Sequence, residues 1–171
     1  MRHALIGLCI VTTACSGQPF SPTSPSGIAG VGAQAKAVGG VPVEVTFTKW
    51  VPAFPALAGV TGGDVAGTFA GTVLSRDPFD NGNIVQLEAR YQVIGQDPAH
   101  SFVAHIEGKQ NNETQQAVFS GTIIEGWLLG AQVHVTYDVI VPATGTSCVV
   151  GAPVNRNCFQ GTIRILPGSA G

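Results

Sequence analysis

Two histidines and two carboxylates on predicted strands are the residues best suited to chemistry. His105 and Glu107 are two residues apart, and His134 and Asp138 are four residues apart. Side chains at these spacings share one face of a β-strand. Brought together, they could supply a base, an acid or metal ligands. The same alternation places all four opposite an apolar face, where polar residues contact solvent, and this plainer interpretation is favoured.

Glu125 is a third polar candidate, because it follows Phe119 and Ile123 on an apolar strand face. If that face is interior, the carboxyl group points toward the core or the mouth of a barrel, where burial would raise its pKa. Glu125 also stands near the predicted end of its strand, and Glu is rarely buried, so an exposed position at the rim is favoured. The candidate polar site therefore consists of Glu125, His105 and His134.

The common catalytic signatures are absent from the sequence. There is no Gly-x-Ser-x-Gly elbow, no His-Glu-x-x-His, no phosphate loop and no dinucleotide fingerprint. A non-catalytic protein is therefore favoured over an enzyme, and we predict no catalytic residue, no metal and no cofactor. The net charge of −2 and the lack of a basic cluster argue against nucleic acid as a partner.

The strands that must position these residues are marked by a period of two. They are predicted over residues 43–48, 65–74, 84–94, 101–109, 116–127, 131–141 and 158–166, with an eighth allowed between Trp50 and Gly59. Residues 52–63 have the composition of a Pro/Gly-rich connection, and residues 76–83 that of a turn. No segment has a convincing helical period. Only 11% of the residues are charged, which suits an all-β domain outside the cytoplasm.

A Phe-x-Gly-Thr motif occurs three times, beginning at Phe69, Phe119 and Phe159. In a strand, each copy places the Phe and the Gly on one face and the Thr on the other. The gaps of 50 and 40 residues are unequal, which excludes a regular solenoid. The motif instead predicts a tightly coiled sheet in which a Phe ring lies beside a glycine of the neighbouring strand.

The fold predicted from these strands is all-β. Short consecutive connections favour an antiparallel up-and-down meander of seven or eight strands closed into a small barrel, with a β-sandwich as the alternative. Residues 42–167 form this domain and residues 168–171 a tail. Aromatic side chains on the inner faces either pack the core or line a ligand cavity. The candidate lining residues are Phe69, Tyr91, Phe102, Phe119, Tyr137 and Phe159.

The first fifteen residues have the composition of an export signal. Arg2 supplies a positive charge, residues 4–11 an apolar segment, and Thr12-Thr13-Ala14-Cys15 a small-residue cleavage site. The site resembles the lipobox of bacterial lipoproteins, although Thr12 stands where that family usually has Leu, Val or Ile. The resemblance implies that residues 1–14 are removed and that Cys15 is lipidated. The protein would then be membrane-anchored and face the periplasm or the cell exterior; simple secretion is the alternative.

Residues 15–41, rich in Ser, Pro, Gly and Ala, have the composition of a linker that holds the domain off the membrane. Cys148 and Cys158 follow in the domain, with nine residues between them. In an oxidising compartment such a pair is expected to form a disulfide. Without a nearby His, the two thiols are a poor zinc site.

The strand pattern of residues 43–166 also resembles small calycin-like barrels, in particular allene oxide cyclase and dirigent-type barrels. Those barrels enclose an apolar cavity that binds or steers small hydrophobic molecules, and no motif allows a catalytic residue to be carried over. The resemblance implies an exported barrel that binds a small hydrophobic molecule or a cell-envelope partner. A cyclase- or isomerase-like enzyme and a structural protein that self-associates into a homo-oligomer are the alternatives.

Overall fold

The computed structural model describes residues 41–166, which form eight strands and two short 3-10 turns. Within this range there is no helix long and apolar enough to cross a membrane. The predicted signal, Cys15, most of the predicted linker and the tail lie outside the described residues. The strands are β1 (Val43–Trp50), β2 (Ala56–Gly63), β3 (Gly67–Phe79), β4 (Ile84–Gly95), β5 (Phe102–Asn111), β6 (Gln116–Gly126), β7 (Gln132–Ile140) and β8 (Cys158–Leu166).

The strands form one closed antiparallel barrel in which each strand pairs with the next along the chain. Pairing of β1 with β8, for example Val45 opposite Ile163, completes the closure. The predicted up-and-down barrel is therefore confirmed, and the sandwich is excluded. Alternation puts one face of each strand into the core and the other toward solvent, so closure leaves no edge of the sheet unpaired.

Two strands extend beyond their predicted bounds. The predicted connection over residues 52–63 is mostly β2, because its small residues let the chain pass close to β1: a Cβ at Gly59 would lie 2.8 Å from the Cα of Lys49. Half of the predicted turn over residues 76–83 is the end of β3, which pairs with β4 as far as Phe79 opposite Ile84, and a 3-10 turn over Asp80–Gly82 follows it. The first of these differences identifies the eighth strand.

In two of the three Phe-x-Gly-Thr copies the phenylalanine lies opposite a glycine on a neighbouring strand, as predicted, whereas Phe159 lies opposite Lys49 and Val139. Phe69 is paired with Gly59 and Phe119 with Gly108, and the Phe119 ring comes within 2.9 Å of the place where a Gly108 Cβ would stand. Because a glycine has no side chain, it leaves space for the aromatic ring of the residue opposite it. Large rings therefore fit inside a barrel of only eight strands.

The two ends of the barrel are filled differently. At the packed end, the interior holds buried aliphatic side chains and one phenylalanine: Val45, Val93, Phe102, Ile123, Val133 and Ile165. The opposite end, here called the open end, carries Lys49, Tyr91, Phe119, Tyr137 and Phe159 inside, below the loops 51–55, 80–83, 112–115 and 141–157. The turn after β6 covers the packed end, where Trp127 and Leu128 pack against the core.

A disulfide anchors the longest loop of the open end. It joins Cys148 to the fully buried Cys158 at the start of β8, and their Cα atoms are 6.3 Å apart. This is the cysteine pairing that the sequence predicted. Trp50, Ala152 and Cys158 form a second apolar cluster, separate from the barrel interior. The loop is thereby held against the outside of the barrel wall.

Candidate functional site

A cavity of about 210 Å³ lies inside the open end. Its wall is mostly apolar and includes Leu57, Val73, Leu87, Ala89, Tyr91, Phe119, Tyr137 and Phe159. Two further lining residues, Phe54 and Arg76, are exposed to solvent. The cavity therefore reaches the surface between the β1–β2 loop and the end of β3.

Lys49 is the unusual residue of this cavity, because its side chain is only 3% exposed. Strand β1 turns Val45, Phe47 and Lys49 toward the same side, and that side is the interior. On β2 the residue opposite Lys49 is Gly59, whose missing side chain leaves room for the lysine stem. The backbone therefore directs a basic group into an apolar space.

The Lys49 amine is enclosed by aromatic side chains. Its Nζ donates a hydrogen bond to Tyr91 Oη and lies 4.2 Å from the Tyr91 ring centroid and 4.3 Å from that of Tyr137. The rings of Phe159, Phe47 and Phe69 follow at 5.5, 5.6 and 6.0 Å. Cation–π attraction favours the protonated amine at such distances. Burial opposes it, because an ammonium loses its hydration shell.

Burial dominates, and it lowers the pKa of the Lys49 amine well below its usual range. Among residues 41–166, no Asp or Glu lines the cavity or forms an ion pair with Lys49. Burial, with a smaller effect of Tyr137, also raises the pKa of Tyr91 well above its usual range. At neutral pH the cavity therefore holds a neutral phenol beside an amine that is easily deprotonated.

Two further polar groups complete the wall. Tyr137 Oη donates to Gln110 Oε1 at 2.8 Å, and burial raises the pKa of the Tyr137 phenol. Arg76 supplies the fixed positive charge at the mouth. An apolar wall with a few convergent polar groups is the usual composition of a small-molecule site. The groups present can hydrogen-bond a ligand, and the amine can also react with one.

The six aromatic residues proposed as cavity lining divide into two sets. Tyr91, Phe119, Tyr137 and Phe159 line the cavity. Phe69 packs beside it, with its ring 4.8 Å from that of Tyr91. Phe102 is buried at the packed end. Core packing and cavity lining are thus both present, at different heights of one barrel.

The candidate histidines lie on the outer face, away from the cavity. His105 Nε2 is 2.7 Å from Glu88 Oε1 on the adjacent strand. His134 is exposed on β7, and Asp138 accepts a hydrogen bond from the Gln116 side chain. Within residues 41–166, no three His, Cys, Asp or Glu residues cluster closely enough to hold a metal ion.

Glu125 also lies on the outer face, where it forms an exposed ion pair with Arg90. Strand alternation from Phe119 and Ile123 would have placed it inside. A register shift between β5 and β6 pairs Ile123 with Ala104 and Glu125 with Val103, so Ile124 is an extra residue in the ladder. Such a bulge turns the following side chain to the opposite face. The candidate polar site of Glu125, His105 and His134 therefore contributes nothing to the cavity.

Lys49 was missed by reasoning from sequence, although a signal for it exists. The first predicted strand ends at Thr48, one residue before Lys49. The alternation of Val45 and Phe47 continues to Lys49, which therefore shares their interior face. A charged residue in phase with buried ones indicates a functional group inside a barrel. Comparisons of the chain with family models, curated proteins and solved structures found no match.

Proposed function

We propose that this protein is an exported, lipid-anchored barrel that binds a small, mostly apolar molecule in the open-end cavity. The observation that carries the proposal is a cavity lined by rings and aliphatic side chains, with one buried amine that has no carboxylate partner among the described residues. A lysine in that place costs folding free energy, because apolar residues of similar volume would fill the space without a desolvation cost. A role in ligand binding would explain why the lysine is there. A fully packed interior would have argued for a purely structural protein.

The cavity size limits the ligand. An apolar cavity of about 150 Å³ in another protein takes up benzene. By that comparison, a cavity of about 210 Å³ accepts a molecule somewhat larger than benzene. Edge and face contacts with Tyr91, Tyr137 and Phe119 suit an aromatic ring or a short branched aliphatic chain.

The charges of the cavity restrict the ligand further. Among the described residues, the ionisable groups that line the cavity are Lys49, Arg76 and two tyrosines, and the first two carry positive charge when protonated. A cationic ligand would meet like charges and no carboxylate. The preferred ligands are therefore neutral or anionic and present a hydrogen-bond acceptor to Lys49 or Tyr91.

A pair of adjacent substitutions tests the proposal. Val73 lines the cavity, whereas Leu74 is 52% exposed on the outside of the same strand. Calorimetric titration with benzyl alcohol should give saturable binding to the wild type and to Leu74→Phe. Val73→Phe should weaken binding by about tenfold or more, since overpacking costs about 1–3 kcal/mol. Equal affinities of the two variants, or no binding to the wild type, would contradict the proposal.

The export part of the proposal rests on the lipobox-like segment and on the disulfide, which suits an oxidising compartment. Mass spectrometry of the membrane fraction should find acylated Cys15, and Cys15→Ser should release the protein. Cys9→Ser, in the same segment, is the matched control and should leave the protein anchored. A soluble wild type without acylation would exclude the anchor and leave the ligand site open to its own test.

A further inference from the structure

We propose that Lys49 is a reactive amine that captures a small aldehyde or ketone in the open-end cavity as an imine. This inference rests on the proposed function, because the carbonyl compound must first enter the cavity. It goes further by naming the ligand class, the atom that binds it and the kind of bond formed. None of the polar residues singled out in the sequence takes part.

Lys49 lies where a ligand in the cavity could reach it. Lys49 lines the cavity, and its Nζ is 4.2 and 4.3 Å from the ring centroids of Tyr91 and Tyr137, which line it as well. A carbonyl compound bound in the cavity would therefore lie beside the Lys49 side chain. Holding two reactants at contact distance gives the largest rate advantage available to a site with few polar groups.

Lys49 has no carboxylate counter-ion among the described residues that line the cavity. Each of the seven strands β2 to β8 contributes at least one lining residue: Leu57, Arg76, Tyr91, Gln110, Phe119, Tyr137 and Phe159. Among them are two phenols and one guanidinium, and no carboxylate. Because no carboxylate within residues 41–166 pairs with the ammonium, and burial outweighs the attraction of the surrounding rings, the neutral amine is favoured, which is the nucleophilic form.

The reaction balances without an oxidant or a reductant. The Nζ lone pair forms a bond to the carbonyl carbon, and the carbonyl oxygen takes up a proton to give a carbinolamine. Loss of that hydroxyl with a second amine hydrogen releases one water and leaves a C=N bond. Tyr91, which stays a neutral phenol beside Nζ, is placed to donate a hydrogen bond to the oxygen as it leaves.

The test is reductive trapping on the full chain. The protein is incubated at neutral pH with benzaldehyde and sodium cyanoborohydride, which converts an imine into a stable benzylamine, and the modified lysine is located by peptide mass mapping. The sequence contains three lysines, Lys36, Lys49 and Lys109. Lys109 is exposed and serves as the internal reference. Labelling of Lys49 should exceed that of Lys109 several-fold, because burial lowers the pKa of Lys49 and so raises the neutral fraction of its amine at neutral pH.

Two variants and two non-reactive ligands sharpen the result. Lys49→Met should abolish the cavity adduct, and Lys109→Met should leave it unchanged. Equal labelling of Lys49 and Lys109 in the wild type, which needs no variant to fold, would overturn the inference. Benzyl alcohol binding without a Lys49 adduct would overturn the imine and leave the ligand site standing. Tight benzoate binding without an adduct, lost in Lys49→Met, would show a cationic Lys49 and overturn the inference, since Arg76 remains in that variant. Failure of all three ligands to bind would overturn both proposals.

Discussion

The two ends of the barrel are built from the same strands but have opposite properties. At the packed end, Val45, Val93 and Ile123 are completely buried and fill the interior. At the open end, Lys49 and four aromatic residues surround a cavity of about 210 Å³. An interior of aliphatic side chains gives dense packing and stability. An interior of rings, one amine and empty space gives up part of that stability.

This difference is the basis for the ligand site proposed at the open end. Dense packing at the packed end stabilises the closed sheet. The open end can therefore contain a buried basic group, which would cost too much stability if the domain had no other packed core. The loop 141–157, held by its disulfide, lies at the open end as well. Substitutions at the two ends should therefore affect different properties.

The largest contrast is expected from truncating one large aliphatic residue at each end. Ile123→Ala removes a completely buried side chain from a filled interior and should lower the free energy of unfolding by about 2–5 kcal/mol. Leu87→Ala, beside the existing cavity, should cost less, because its surroundings are already open. Chemical denaturation of both variants measures the difference. Equal losses would show that the two ends are packed alike.

Removing the disulfide should have the next largest effect. Replacing both Cys148 and Cys158 with Ala should lower the free energy of unfolding by about 2–3 kcal/mol in the chain-entropy model for so short a loop. The loop is anchored to the outer wall and not to the packed end, so the barrel itself should persist. Thermal unfolding in the presence and absence of a reductant, with the double variant as control, provides the measurement. Loss of all β-structure on reduction would contradict this division of roles.

The buried amine should make stability depend on pH. Because folding lowers the Lys49 pKa, the unfolded chain binds more protons below the ordinary lysine pKa of about 10.4. Wild-type stability should therefore rise as pH increases from the folded-state pKa toward that value. Lys49→Met has no amine at this position, so we expect it to be more stable than the wild type at low pH. This difference in the free energy of unfolding should shrink by up to about 1.4 kcal/mol for each unit by which the pH rises.

Denaturation of both proteins between about pH 6 and pH 10 measures that slope. Tyr91 and Tyr137 titrate above this range in both proteins, since burial raises their pKa values, so they do not contribute to the difference. Lys109→Met, the same substitution at an exposed lysine, is the matched control for the loss of one positive charge. A pH-independent difference between Lys49→Met and the wild type would mean that Lys49 keeps an ordinary pKa.

The smallest effects are expected on the outer face. Glu125→Gln breaks an exposed ion pair with Arg90, and His105→Ala removes a half-exposed contact with Glu88. Exposed pairs of this kind contribute less than about 1 kcal/mol, and screening by salt should reduce the contribution further. Neither variant should change benzyl alcohol affinity. A loss of benzyl alcohol binding in either variant would show that residues of the outer face contribute to the ligand site.

Much of the fold follows from the period of two. The strands from Val43 to Leu166 were recognised because barrel closure buries one face of every strand, which forces alternation into the sequence. Strand β2 was obscured because its Ala and Gly residues give little hydrophobic contrast. Those same residues let Lys49 and Phe69 fit beside it.

The site was less predictable, for three separate reasons. Glu125 is exposed, as was favoured, but the cause is one extra residue, Ile124, which shifts the β5–β6 register, and bulges have no clear signal in a single sequence. Lys49 was in phase with Val45 and Phe47 and could have been found. The cavity depends on how rings from several strands meet across the barrel, which alternation along one strand does not describe.

We propose that the open end binds a small molecule and that the packed end does not. Amide NMR shifts of the full chain, titrated with benzyl alcohol, distinguish the two ends. We expect saturable shifts around Lys49, Tyr91 and Tyr137, with those of Val45 and Ile123 unchanged. Saturable shifts confined to the outer face or to the packed end, or no saturable shift at all, would contradict it.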